Sequence, residues 1–156
     1  MCTVANDNDP SQVVISGHKS AVDRAIAMAK DMGAKRAVPL PVSAPFHCPL
    51  MQPAAEAMRD ALSYVVVAPP AVPLVANVTA EPTSDPDTIR SQLVEQVTGM
   101  VRWRESVASM TAAGSEEFVE VGGKVLGPMV KRIAPDANVT SVVTIEDIEA
   151  LSKEIA

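Results

Sequence analysis

Phe118-Val119-Glu120-Val121-Gly122-Gly123-Lys124-Val125-Leu126 passes from a short strand-forming run, through two glycines, into a helical segment that reaches Ile133. Aromatic and β-branched residues suit a pleated surface, and a glycine pair permits a tight change of direction. The same order recurs downstream, where Val139 to Val143 reads as a strand and Ile145 to Ile155 as a helix. Strand and helix in alternation predict an α/β fold with a largely parallel sheet.

Working back toward the start, Trp103 to Ala113 reads as a helix closed by Gly114, and Thr88 to Val97 as another, entered through the turn residues Thr83 to Asp87. Pro73-Leu74-Val75-Ala76-Asn77-Val78 predicts a buried strand ending in a loop, with Pro69 and Pro70 marking the connector before it. Met51, Ala54, Ala55, Met58 and Leu62 share one face of a helix over 51–62. Ala37-Val38-Pro39-Leu40 is extended. Val13-Val14-Ile15 predicts a short buried strand, and Gly17 turns the chain into a helix from about Lys19 to Met32, stopped by Gly33. There is no internal repeat.

A chain of 156 residues with 47% hydrophobic side chains can bury one substantial core, and aromatics at 3% make that core aliphatic. The net charge of -6, with no basic stripe interleaved with aromatics, argues against a nucleic-acid partner. The longest apolar stretch, Tyr64 to Ala76, is broken by Pro69, Pro70 and Pro73, so no membrane span is expected. Met1 to Asp7 lacks the basic flank and apolar segment of a secretory signal. Cys2 and Cys48 are too few for a disulfide framework and lack the paired spacing of a zinc site, which makes the cytoplasm the expected setting.

One histidine is placed for proton transfer. His47 lies in Pro41-Val42-Ser43-Ala44-Pro45-Phe46-His47-Cys48-Pro49, where prolines on both sides stiffen the backbone. An imidazole titrates near neutrality, so it can take a proton from a nucleophile and return it to a leaving group. Cys48 is its neighbour, but adjacent side chains point apart, and a buried thiol is the better reading. His18 at a helix entry reads as structural. Gly122-Gly123-Lys124 resembles a phosphate loop only superficially: Val125 stands where a hydroxyl is needed and the upstream glycine is missing, so a strand-to-helix turn with at most a minor phosphate contact is expected. Lys35-Arg36, Arg102 with Arg104, and Lys131-Arg132 read as solvated faces. No Gly-x-Ser-x-Gly turn occurs, and Ser43, four residues from His47, has no motif to orient it as a nucleophile.

Several ordered segments carry a resemblance. They begin with Asn6-Asp7-Asn8-Asp9-Pro10-Ser11-Gln12-Val13-Val14-Ile15-Ser16-Gly17-His18 and Gly33-Ala34-Lys35-Arg36, followed by Pro39-Leu40-Pro41-Val42-Ser43-Ala44-Pro45-Phe46-His47-Cys48. Asn77-Val78-Thr79-Ala80, Leu93-Val94-Glu95-Gln96 and Val101-Arg102-Trp103 come next. Glu120-Val121-Gly122-Gly123-Lys124-Val125-Leu126 and Lys131-Arg132-Ile133 complete the set. Together they resemble the C-terminal half of the malonyl-CoA:acyl carrier protein transacylases, relatives of the acyltransferase domains of polyketide synthases.

The resemblance implies that His47 is the catalytic base, activating a serine toward the malonyl thioester and then the phosphopantetheine thiol of the carrier protein. It implies that the backbone carbonyl of Gln96 accepts the other imidazole N–H, fixing the tautomer as a triad carboxylate would. Phe46 would fill space that a methyl branch needs, a preference worth about 1–3 kcal/mol per methylene. Asn6 and Asn8, on what the resemblance makes a loop, would lie near the substrate channel. It also implies a small ferredoxin-like subdomain over residues 1–41 and, over 42–156, part of the parallel sheet of an α/β hydrolase-like large subdomain. No metal or redox cofactor is implied; the partners are malonyl-CoA, acyl carrier protein and the missing N-terminal half of the enzyme.

The sequence departs from the family in instructive ways. The serine elbow, the glutamine-bearing loop of the oxyanion hole and the arginine that pairs with the malonyl carboxylate belong to the family's N-terminal half, and none is present. Ser11 stands where the family has glycine, and Gly122-Gly123 is one residue shorter than the family's Gly-x-Gly. The chain alone is therefore expected not to turn over. The competing reading is a non-catalytic carrier-protein or coenzyme-A binding module that kept the fold and lost the chemistry.

Overall fold

The computed structural model describes residues 1–154. A hairpin of β1 (Cys2–Asp9) and β2 (Gln12–Gly17) leads into α1 (Lys19–Asp31). An irregular stretch then runs to a 3-10 turn (Pro49–Met51) and α2 (Gln52–Ser63). The short strands β3 (Leu74–Val75) and β4 (Pro82–Thr83) precede α3 (Pro86–Glu95) and α4 (Trp103–Ala112). The chain ends in the order expected from its glycine turn: β5 (Glu117–Val121), α5 (Leu126–Ile133), β6 (Asn138–Val142) and α6 (Ile145–Glu154). Ile155, where the last helix was expected to finish, lies outside the described residues.

The mixed α/β character holds, but the described strands form three separate two-stranded sheets, and one of the three is parallel. β5 and β6 pair in parallel across the α5 crossover, from Glu117 opposite Asn138 to Val121 opposite Val142. The other two pairs, β1–β2 and β3–β4, are antiparallel. The reason lies in the connections: Pro10-Ser11 returns the chain at once, which only an antiparallel pair allows, whereas a parallel pair needs a crossover. β1 itself was missed because the alternation Ala5, Asp7, Asp9 against Asn6, Asn8 carries almost no apolar signal. Asn6 and Asn8 therefore sit in a strand, not a loop.

Two further expectations are corrected. The apolar run 73–78 forms only the two-residue strand β3, with Leu74 exposed. Pro73 and, across the pair, Pro82 lack the N–H that would extend the ladder. Ala37 to Leu40 joins no sheet, and Val38 and Leu40 are exposed; Pro39 and Pro41 have the same effect there.

The core is aliphatic, as the composition requires. Val107, Val130 and Ala137 are its buried centre, with Trp103, Met110, Phe118, Ile133 and Val139 packed around them. They come from α4, α5, β5, β6 and the α5–β6 turn, so one cluster joins these elements.

Charge ties β1 to that cluster. Arg104 on α4 grips Asp7 with both of its carboxylate oxygens engaged, at 2.6–3.0 Å. Arg132 on α5 donates twice to Asp9, at 2.9 and 2.7 Å, although 123 residues separate them. Asp9 is fully buried at its side chain while that of Arg132 is 44% exposed. Two of the three basic clusters are thus not simply solvated faces. Their arginine stems lie along the surface while the heads neutralise carboxylates that a strand has carried inside. Lys35 and Arg36 are exposed, as expected.

Candidate active site

His47 stands on the turn that feeds α2, and its backbone is left-handed, with φ 55°. That conformation costs a non-glycine residue about 1 kcal/mol or more, so its surroundings must impose it. Cys48 supplies one anchor: its side chain is fully buried and its thiol donates to the carbonyl of Pro45 at 3.1 Å. Pro49 supplies the other by opening the 3-10 turn. The thiol is a packing group turned inward, and the half-buried imidazole is turned elsewhere.

The imidazole meets the end of α3. His47 Nδ1 lies 3.0 Å from the carbonyl oxygen of Gln96, the residue that caps that helix. A carbonyl can only accept, so Nδ1 carries the proton and Nε2 keeps its lone pair. The carbonyl is free because the helix stops. Val97 and Thr98 donate back to Val94 and Glu95, and Gly99 to Glu95 at 2.8 Å, which tightens the last turn and leaves Gln96 without a helical partner. α2 and α3 pack side by side, with Ala55 and Val94 buried in the seam, which brings the start of one helix to the end of the other. A groove along this seam is lined by Gln52, Arg59, Asp87, Arg90 and Glu95, and neither His47 nor Gln96 lines it.

The remaining candidates are spread more widely. Phe46 is about half exposed beside His47. Asn6 forms a parallel bridge with Val101, five residues beyond Gln96, with Asp7 N–H donating to Val101 and Val101 N–H to Ala5, both at 2.8 Å. Asn6 and Asn8 occupy the strand face opposite the one that sends Asp7 and Asp9 to the arginines. Ser43 is exposed on the irregular segment. His18 caps α1 without a side-chain hydrogen bond, and its Nδ1 lies 3.1 Å from the Met1 amine.

The glycine turn holds an anion, but an internal one. Gly122 is left-handed at φ 88°, and the chain folds back so that the Glu120 carboxylate accepts the N–H groups of Val125, Leu126 and Gly127 at 2.7, 2.9 and 2.9 Å. The Leu126 N–H is the largest influence holding this carboxyl below its ordinary range; burial opposes it, and Gly127, Val125 and Ser141 assist. The start of α5 is therefore already filled, and the minor phosphate contact considered for this turn is displaced by Glu120. Asp7, Asp9 and Glu120 were not singled out from the sequence; the period-two spacing of Asp7 and Asp9 was the available signal. Among the described residues, no group of three His, Cys, Asp or Glu side chains could hold a metal ion, and no helix is long and apolar enough to cross a membrane.

A histidine turn held by a helix-terminal carbonyl thus stands in a mixed α/β frame, and the chain belongs to the acyl transferase domain family, whose pattern it matches over residues 1–131. Its relatives are more particular. The malonyl CoA-acyl carrier protein transacylase of Escherichia coli K12 is 50% identical over 129 residues, which cover 82% of this chain and 42% of that protein. The crystal structure of the acyl-carrier-protein-S-malonyltransferase from Bartonella henselae superimposes with a TM-score of 0.95 at 51% identity, covering 99% of this chain and 50% of that one. A malonyl transacylase solved in complex with its type II PKS acyl-carrier protein gives 0.92 at 40% identity, covering 98% and 50%. The chain spans about half the length of the curated relatives it matches.

Proposed function

We propose that this chain is the base-bearing half of a malonyl-CoA:acyl carrier protein transacylase of fatty-acid synthesis. The observation that carries the reading is the 3.0 Å contact between His47 Nδ1 and the carbonyl of Gln96, which presents Nε2 as a proton acceptor. A serine supplied by the other half attacks the malonyl thioester of malonyl-CoA while His47 takes the hydroxyl proton; that proton then leaves with the coenzyme A thiol. In the second half-reaction His47 takes the proton of the carrier protein's phosphopantetheine thiol, the sulfur attacks the carbonyl of the malonyl-serine ester, and the proton passes to the departing serine oxygen, which leaves malonyl on the carrier thiol and restores the serine hydroxyl. When the ring becomes cationic, it faces the negative end of α3, a dipole standing where a triad carboxylate would stand.

Phe46 narrows the acyl site against branched substrates, and Asn6 and Asn8 border the channel. Residues 1–41 belong to a small ferredoxin-like subdomain and 42–156 to an α/β hydrolase-like large one, a division supported by the hairpin-and-α1 unit and the irregular stretch that follows it. The reaction takes place in the cytoplasm. A strained histidine with a dedicated carbonyl partner is more than a passive binding module needs, and this favours the catalytic reading over that alternative.

Two measurements test it. Intact-mass analysis of the chain incubated with malonyl-CoA should show no stable malonyl adduct, because the nucleophile is absent; an adduct on the isolated chain refutes the division of labour. Joined to a serine-bearing N-terminal half from a relative, the chain should transfer malonyl to acyl carrier protein, and His47→Ala should reduce the rate by about a hundredfold to ten-thousandfold. Transfer that survives this change refutes His47 as the base.

A further inference from the structure

The Gln96 carbonyl can hold His47 only if something holds the carbonyl. Beyond the helix the chain has no regular structure until Val101 reaches β1, and a helix end left to fray would let the peptide plane carrying this carbonyl rotate. Gln96 has a second polar group in the same place. Its side-chain Nε2 donates to the carbonyl of Gly99 at 3.1 Å and lies 3.4 Å from His47 Nδ1. Because Nδ1 already carries a proton for the Gln96 carbonyl, the 3.4 Å approach joins two donors and is not a bond. The Gly99 carbonyl, which can only accept, fixes which end of the carboxamide faces it.

Gly99 is suited to this role by its size. A Cβ there would lie 2.8 Å from Cγ2 of Val78 and 2.9 Å from the carbonyl oxygen of Glu95, so only glycine fits between the helix end and the 77–80 turn without displacing one of them. Arg102 N–H closes the same loop from the far side by donating to Asn77 at 2.8 Å. The loop 96–99 is thus a closed ring. Gly99 N–H binds back to Glu95, Gly99 C=O is bound by the Gln96 side chain, and the Gln96 C=O is left pointing at the imidazole.

We infer that the Gln96 side chain is a positioning group: its Nε2–Gly99 bond locks the backbone carbonyl that selects the Nδ1-protonated tautomer of His47. The inference rests on the reading of His47 as the base, and adds that a side chain makes that tautomer selection possible. Gln96→Met keeps the carbonyl and nearly the same shape but removes the donor.

Long-range nitrogen–proton correlation NMR of the isotope-labelled chain reads the tautomer of each histidine, and His18, remote from the loop, serves as the folding control. In the unmodified chain His47 should be predominantly Nδ1-protonated. In Gln96→Met the ratio should move toward the Nε2-protonated form by about fivefold, with His18 unchanged. An unchanged His47 ratio in the folded variant overturns the role of the side chain and leaves the base assignment standing. Nε2-protonated His47 in the unmodified chain overturns both. Should the variant not fold, the unmodified chain still decides: a Gln96 carboxamide proton should exchange about fivefold slower than those of the exposed Gln12, and equal rates overturn the inference.

Discussion

Asp9 shows how one buried charge can hold a strand. Burial by itself would raise its carboxyl pKa, but hydrogen bonds from Arg132 and Ser11 outweigh burial and take it from an ordinary 3.8 down to about 2. Ser11 contributes through its hydroxyl and N–H, both on Asp9 Oδ1 at 2.7 and 2.8 Å. The sign of the pH effect follows. Above pH 3.8 the carboxylate is charged in both the folded and the unfolded chain, and its contribution is complete. As pH falls from 3.8 through about 2 the unfolded chain binds a proton that the folded one refuses, and the contribution is lost. Arg132→Met leaves the buried carboxylate with Ser11 alone. It should cost about 2 kcal/mol at neutral pH, below the range for fully buried pairs because the guanidinium is half in water. Urea midpoints measured down through that acid window should fall more gently in the variant than in the unmodified chain; parallel curves would exclude Asp9 as the titrating group.

At the scale of an element, α5 depends on Glu120 for its first turn. Three N–H groups that a helix start leaves unpaired converge on one carboxylate from the preceding strand, so the strand, the glycine turn and the helix form a closed unit. Removing the side chain should do two things at once. Glu120→Ala should lower the melting temperature, and the vacated N–H groups should accept an external anion. Thermal melts in sulfate against chloride at matched ionic strength should then show extra recovery by sulfate in the variant and no such difference in the unmodified chain. If sulfate gives the variant no advantage, the N–H groups do not form an anion cradle.

For the molecule as a whole, the notable feature is the uneven cover of the parallel pair: Val142 of β6 is buried, while Val121 of β5, directly opposite it, is exposed. Parallel strands are normally buried on both faces. Here β5 lays Phe118 and Glu120 against α4 and α5, while Val119 and Val121 face outward, Val121 at 77% exposure. Apolar side chains exposed in this way are open to an apolar probe. This face should bind a hydrophobic dye such as ANS. The double variant Val119→Thr, Val121→Thr should lower that fluorescence while leaving the melting temperature within a few degrees of the unmodified chain. Undiminished fluorescence would place the apolar surface elsewhere, with the exposed Val65 and Val66 beyond α2 the next segment to test.

Periodicity and punctuation in the sequence determined the helices, because apolar spacing, Gly33 and Gly114 act within a few residues of where they stand. The same local logic marked His47 as a stiffened loop histidine, and Cys48 as inert. What pairs with what was decided elsewhere. A strand written Asn-Asp-Asn-Asp has no apolar alternation to betray it; it becomes a strand because Arg104 and Arg132, far along the chain, neutralise its inward carboxylates. The parallel expectation held for β5 and β6 and not for the other two pairs for a related reason, since hydrogen-bond partners belong to the connections and not to the strand's own residues. Even Gln96, which the family resemblance placed beside His47, shows nothing in its own sequence of a free carbonyl. That carbonyl exists because Gly99 ends the helix against Val78, a contact that only the folded chain can make.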